Sequence, residues 1–222
     1  MNSSEILALY DEQERENSVH PLYRREEVGP VVRHVSHDPS RISFIIYSDL
    51  NAANADEVIQ EQIDWYKEDV NGFGLEWKTF DHDVPPDLKQ RLTVHGFEED
   101  EVEALLLIDL QDCPPVYLQP VTADVRRITD PAQMADVAAI QEKIYGESFD
   151  WLARQLRENI ITQPDFWGVY IAYVDGVPAC SAWISFPQGS TFAGLWGGAT
   201  LPEYREMGLY TAVVATRAQE AI

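Results

Sequence analysis

The rhythm of apolar and polar positions changes several times along the chain, and each change marks an element. Residues 1–40 begin with a short helical pattern, Ile6, Leu7 and Tyr10, and continue as charged, proline-containing sequence. Ile42 to Tyr47 reads as a strand, with Ser48-Asp49-Leu50-Asn51 as its exit turn. From Ala55 to Val70 apolar side chains recur at Ile59, Ile63, Tyr66 and Val70, the spacing of one helix face, and Asn71-Gly72 gives the stop signal. Leu75 to Phe80 is a second strand. Pro86 to His95 is a helix with Leu88 and Leu92 inward and Gly96 as its stop, and Val102 to Leu110 is a third strand. The predicted first lobe is strand–helix–strand–helix–strand.

Cys113-Pro114-Pro115 to Pro120 reads as a joint, which predicts lobes at 1–118 and 119–222. Beyond it, Val125 to Ile128 is a strand. Asp130, with Pro131 at the first helical position and Gln133 able to reach back, reads as a capping box. Met134, Val137, Ala138, Ile144 and Tyr145 form the expected buried stripe of that helix. A second helix around Phe149 to Ile160 buries Leu152 and Leu156. Trp167 to Val174 is apolar on both faces, the pattern of a central strand. Asp175-Gly176 is a hairpin signal, Val177 to Phe186 pairs back, and Pro187-Gln188-Gly189 turns again.

Composition narrows the class. A hydrophobic content of 45% and six tryptophans imply a folded core rather than a disordered chain. No apolar run approaches the roughly 20 residues of a membrane span, and the start MNSSEILALYDEQERENS lacks a signal-peptide pattern, so a cytoplasmic protein is expected. Cys113 and Cys180 show no metal-ligand spacing and read as reduced thiols, Cys180 packed in a strand. All five histidines fall at or before His95. The net charge of −22 is uneven: residues 1–120 carry 9 basic and 26 acidic groups, and residues 121–222 carry 7 and 12. That excludes nucleic acid as a natural partner. It suits attraction of a cationic amine, and equally plain solubility.

The densest chemistry lies in TFAGLWGGATLPEYREMGLYTAVVATRAQEA, Thr191 to Ala221. An apolar strand runs into two glycines, then Leu201-Pro202, then a polar turn with Arg205 and Gly208, then an amphipathic helix from Leu209. The first N–H groups of a helix lack intrahelical partners and sit at the positive end of its dipole, so this order builds an anion site. Gly197-Gly198 fits either a simple bulge or a gap for a ligand arm. Pro202 favours splaying of the strand from a neighbour.

The segment LPEYREMGLYTAVVATRA, Leu201 to Ala218, resembles the acetyl-CoA signature of the GNAT-type N-acetyltransferases, Gln/Arg-x-x-Gly-x-Gly/Ala. Arg205 and Gly208 fit, and Tyr210 stands where that family has glycine or alanine; its side chain is expected to point away while its N–H still donates. The order of segments from about Ala123 onward fits as well. The resemblance implies an α/β fold with a mixed sheet, acyl-CoA N-acyltransferase-like, with an N-terminal α/β lobe. It implies transfer of an acetyl group from acetyl-CoA to a small-molecule or peptide amine by direct attack in a ternary complex, with no metal, no nucleic acid and no membrane, and with a homodimer compatible. The site it implies has Ala199, Thr200 and Leu201 along the pantetheine arm, with a backbone N–H there polarising the thioester carbonyl. Arg205, Glu206, Met207, Gly208, Leu209, Tyr210 and Thr211 would lie around the pyrophosphate, through backbone N–H groups and the Thr211 hydroxyl.

The family continues past the point where this sequence stops, in the signature helix, with a strand, a helix and two more strands. The C-terminal copy is therefore expected to be incomplete, and the 222 residues to be a fragment weak in turnover yet competent for coenzyme A. Leu75 to Leu110 is similar to the closing segment of such domains, which makes the first lobe a candidate degenerate copy. No general base is assigned. Glu203, Glu147 and Asp150 read better as solvated or helix-start carboxylates, Glu98 to Glu101 as a solvated turn, and His82-Asp83 as a helix entry. Tyr204 and Trp196 are candidates for shaping an acceptor pocket, with core packing the default for Trp196. The alternative function is a non-catalytic acyl-CoA-binding or assembly module.

Overall fold

The computed structural model describes residues 1–70 and 72–222, so the helix stop read at Asn71-Gly72 lies partly outside the described residues. The chain divides into two compact units, residues 1–107 and 108–222, and each holds one four-stranded sheet. The division falls before the proline cluster, which lies within the second unit and forms a short 3-10 turn at Pro115–Tyr117.

The first unit opens with helix α1 (Ser3–Tyr10), prolonged by a π-helical stretch to Glu16. Strands β1 (Tyr23–Val28), β2 (Val31–Ser36) and β3 (Ile42–Ser48) form an antiparallel meander, and β4 (Gly74–Trp77) joins parallel to β3 after helix α2 (Ala55–Trp65). Helix α3 (Leu88–Val94) follows. Val31, Ile45, Ile59, Trp77, Leu88 and Leu92 make the core, so Leu88 and Leu92 face inward as their spacing requires.

Two features depart from the sequence reading. Strands β1 and β2 lie in the stretch read only as charged, proline-containing sequence. Their charges are neutralised across the sheet: buried Arg33 pairs with Glu26 at 2.6 Å, donates to Gln62 Oε1 at 3.2 Å and lies 3.5 Å over the Trp65 ring. The strand expected at Val102 to Leu110 is not formed; the segment is irregular, with Val102 81% and Leu106 89% exposed. Apolar content alone does not make a strand without a partner edge to pair with.

The second unit contains β5 (Asp124–Arg127), α4 (Met134–Tyr145), α5 (Asp150–Thr162), β6 (Trp167–Val174), β7 (Val177–Ser185), β8 (Gly194–Thr200) and α6 (Leu209–Glu220). The sheet order is β5-β6-β7-β8, antiparallel throughout. Strand β6 is buried along nearly its whole length, as its two-sided apolar pattern demands. Asp175 and Gly176 both have positive φ, 50° and 78°, the backbone of a tight hairpin turn. One face of the sheet packs Val169 and Ile171 against Met134, Val137, Leu152 and Leu156 of α4 and α5. The other packs Tyr170, Ala172 and Cys180 against Leu209 and Val213 of α6.

Here too local contacts differ from the reading. Asp130 accepts from the Ala132 N–H at 2.9 Å, but Gln133 donates instead to the Tyr173 hydroxyl at 3.3 Å, so no capping box closes. A 3-10 turn, Pro131–Gln133, leads into α4. Tyr145 is exposed rather than part of the buried stripe. Both cysteines are free, and Cys180 is buried in β7. No helix among the described residues is long and apolar enough to cross a membrane.

Candidate functional site

Strand β8 ends its sheet, and its register against β7 slips by one residue. Trp183 faces Trp196 and Ser181 faces Ala199, so two residues of β7 are spanned by three steps of β8, and Gly197-Gly198 forms a bulge. Gly197 is sterically required, and Gly198 is required while the half-exposed Tyr210 ring keeps its place. Gly197 has φ 61°, and a Cβ there would fall 2.0 Å from the Trp183 ring; a Cβ on Gly198 would fall 2.5 Å from the Tyr210 ring. The bulge carbonyls turn to side chains. Gly197 O accepts from Gln141 Nε2 of α4 at 3.3 Å, and Trp196 O accepts from Arg217 Nη1 of α6 at 3.2 Å.

After β8 the chain makes a 3-10 turn, Pro202–Tyr204, and then a loop in which Glu206 (φ 64°) and Gly208 (φ 76°) are both left-handed. Gly208 is the N-cap of α6, with no side-chain cap. The N–H groups of Gly208, Leu209, Tyr210 and Thr211 find no acceptor among the described residues, and a Cβ on Gly208 would meet nothing within 4 Å. An unsatisfied helix start with open space at its capping glycine is suited to an anion.

The first unit also runs from a meander into a helix, but the turn before that helix is tied up by its own asparagines, although the N-cap Asn54 makes no side-chain cap bond. Asn51 Oδ1 accepts from the N–H groups of Ala53 and Asn54 at 2.9 and 3.2 Å, and Asn54 Oδ1 accepts from Asn51 N–H at 2.8 Å. Asp56 and Glu57 in the first turn of α2 add negative charge.

Of the residues expected from sequence, the structure gathers Arg205, Glu206, Met207, Gly208, Tyr210 and Thr211 at one exposed turn. Arg205 Nε donates to Thr200 O at 3.3 Å, tying that turn to the end of β8. Ala199, Leu201 and Leu209 are buried, and the Leu201 backbone is already engaged, its N–H donating to Ala179 O at 2.9 Å and its carbonyl accepting the Tyr204 N–H at 2.9 Å. Thr200 donates its hydroxyl to Cys180 Sγ at 3.1 Å. The Tyr210 ring lies over Gly198 rather than pointing away. Trp196 is not packed in the core; it is 54% exposed, with its indole N–H on Ser185 Oγ.

The carboxylate candidates separate by environment. Glu203 pairs with Lys143 of α4, and this hydrogen bond holds its carboxyl below the usual range, which weakens it as a base. Glu147 is exposed. Asp150 borders a groove of about 270 Å³ between α4 and α5, together with Glu142, Arg154 and Arg157. His82 and Asp83 do not pair: His82 Nε2 meets Asp11 at 2.6 Å and Asp83 meets Arg15 at 2.8 Å. Burial pushes the Cys180 thiol up, so it is no nucleophile at neutral pH. Among the described residues no cluster of three or more potential metal ligands occurs.

Sequence reading missed Gln141 and Arg217. Each lies four positions after a buried valine, Val137 and Val213, on the inward face of its helix. A polar residue on an apolar helix face was the one available signal.

No protein-family model matches the chain, and no curated protein matches it in sequence. Among solved structures, a GCN5-related N-acetyltransferase from Kribbella flavida superposes with a TM-score of 0.66 at 19% identity, covering 100% of this chain and 81% of that one. A functionally unknown conserved protein from Staphylococcus epidermidis superposes with a TM-score of 0.60 at 13% identity, covering 91% of this chain and 81% of that one. The two four-stranded sheets, the bulged end strand and the helix start after it thus belong to a chain with the fold of the GCN5-related N-acetyltransferases.

Proposed function

We propose that the second unit binds acetyl-CoA at the start of α6 and transfers its acetyl group to an amine by direct attack. The observation that carries this reading is the row of unsatisfied N–H groups from Gly208 to Thr211, with open space at Gly208, beside Arg205. In this reading those groups and the Arg205 guanidinium hold the pyrophosphate. The outer edge of β8 at Ala199 and Thr200 offers backbone groups to the pantetheine arm, and Leu201, bonded through both its N–H and its carbonyl, fixes the end of that edge. The thioester supplies an activated acyl carbon, and the chain supplies its position. The α4–α5 groove, with carboxylates at Glu142 and Asp150, is suited to a small-molecule or peptide amine.

Calorimetry with coenzyme A tests the site. Binding by the chain, weakened at least tenfold by Gly208→Trp, is the expected result; equal affinity in that variant would sink the assignment. A second reading, a binding module without turnover, draws on the engagement of Glu203 by Lys143, which weakens that carboxylate as a base. Thiol release from acetyl-CoA across a panel of amines separates the two.

A further inference from the structure

Two consecutive carbonyls of the β8 bulge are each held by a buried side chain, and the two side chains come from helices on opposite faces of the sheet. Arg217 is 2% exposed and Gln141 4% exposed. Arg217 Nη1 bridges the strands, reaching Trp183 O at 2.9 Å and Trp196 O at 3.2 Å, while its Nε donates to Val213 O of its own helix at 3.2 Å. Among the described residues no carboxylate pairs with Arg217, and three carbonyls, those of Trp183, Trp196 and Val213, accept from its guanidinium. Burial lowers its pKa from the ordinary value, yet an arginine starts so far above neutrality that it stays a cation. Burying a cation without an anionic partner is expensive, and a well-packed apolar side chain would hold a helix on a sheet without that cost. The location of this charge therefore calls for a reason beyond packing.

Peptide geometry supplies one. In a planar trans peptide the N–H points opposite to the C=O. Fixing Trp196 O fixes the direction of the Gly197 N–H, and fixing Gly197 O fixes that of the Gly198 N–H. A donor bound to the carbonyl oxygen also polarises the amide, which strengthens its N–H as a donor in a low-dielectric setting. Both amides belong to glycines, so no side chain of their own stands beside them.

We propose that Arg217 and Gln141 are positioning residues that lock and polarise the Gly197 and Gly198 amides, so that the bulge presents a preorganised donor to the carbonyl oxygen of a bound thioester. This rests on the reading that the α6 turn takes acetyl-CoA. In the transfer, the amine nitrogen bonds to the carbonyl carbon, the C–S bond breaks with its electron pair going to sulfur, and the proton released by the amine passes through solvent to the thiolate. Negative charge gathers on the carbonyl oxygen on the way, which is where a fixed amide donor acts. The Arg217 cation, one peptide behind, adds to that field.

The experiment is isotope-edited infrared spectroscopy of acetyl-CoA labelled at the thioester carbonyl, with calorimetry of unlabelled coenzyme A alongside. In the unaltered chain the bound carbonyl stretch is expected below its solution frequency. Gln141→Leu, close in volume, should return it part of the way to the solution value while coenzyme A binds within about twofold. Arg217→Met should return it further, and Arg217→Lys less than Arg217→Met. If Arg217→Met does not fold, the Gln141→Leu spectrum decides. An unshifted frequency in Gln141→Leu, with coenzyme A still bound, overturns the positioning role. Failure of the unaltered chain to bind coenzyme A overturns the site reading instead, and the proposal with it.

Discussion

Arg15 and Asp83 are 68 positions apart in the chain and meet at 2.8 Å, both almost wholly buried. Arg15 also pairs with Asp11 at 2.8 Å and lies 4.1 Å over the Phe80 ring. Helix α1 buries no residue of its own, so this arginine, with the Asp11–His82 pair and the Tyr10–Phe80 ring contact beside it, anchors the N-terminal segment to the loop before α3. Removing one partner of a buried pair strands the other charge. Arg15→Met should therefore cost about 3 kcal/mol, read as a lower denaturant midpoint. A change well under 1 kcal/mol would show the anchor to be dispensable.

The bulge sets a second expectation. Gly197→Ala places a Cβ 2.0 Å from the Trp183 ring at a φ of 61°. A left-handed alanine costs about 1–2 kcal/mol, and overpacking adds about 1–3 kcal/mol. Thermal unfolding should fall by several degrees, with the Trp183 environment changed in near-UV circular dichroism. A melting curve that overlays the parent's would mean the bulge is not rigid.

Acid should weaken the first unit through His20. Burial, with His34 and Arg41 nearby, lowers its pKa from 6.5 to about 4. Its Nδ1 accepts the Leu22 N–H at 3.2 Å, a bond only the unprotonated nitrogen makes. A depressed folded pKa means that the unfolded chain takes up the proton first, so this contribution is complete above pH 6.5 and is lost as pH falls toward 4. Thermal midpoints measured across that window should drop less steeply for His20→Gln than for the parent. Parallel slopes would remove His20 from the account.

Arg205 adds charge to a site otherwise built from backbone. Arg205→Met should weaken coenzyme A binding by about tenfold, or about 1.4 kcal/mol, and raising the salt should narrow the gap between the two chains. Equal affinities at low salt would leave the phosphates to the N–H groups alone.

Much of the second unit is legible in its sequence because its signals are local. Asp175-Gly176 can take the two positive φ values that a tight turn demands, and β6 is apolar on both faces because both faces are covered. Arg205 and Gly208 mark the turn before α6 for the same reason. What stays hidden depends on distant partners. Strand β2 is not read from the charged stretch because Arg33 is neutralised only by Glu26, Gln62 and Trp65, which lie elsewhere in the chain. Val102 to Leu110 reads as a strand although no edge pairs with it. Gln141 and Arg217 look like faults in apolar helix faces, because the carbonyls they serve lie on a strand far along the chain.

The paired close approaches at the bulge also constrain how this sequence can drift. Trp183 presses on Gly197 and Tyr210 on Gly198, each within a distance no Cβ tolerates. Neither glycine can be exchanged unless its ring shrinks or swings aside in the same lineage. Among homologous chains, a larger residue at 197 should therefore travel with a smaller one at 183, and a larger residue at 198 with a smaller one at 210. Position 210, where the related signature prefers glycine or alanine, would then be read as one half of an exchange: an aromatic ring on the helix is permitted only while the strand beneath it stays bare.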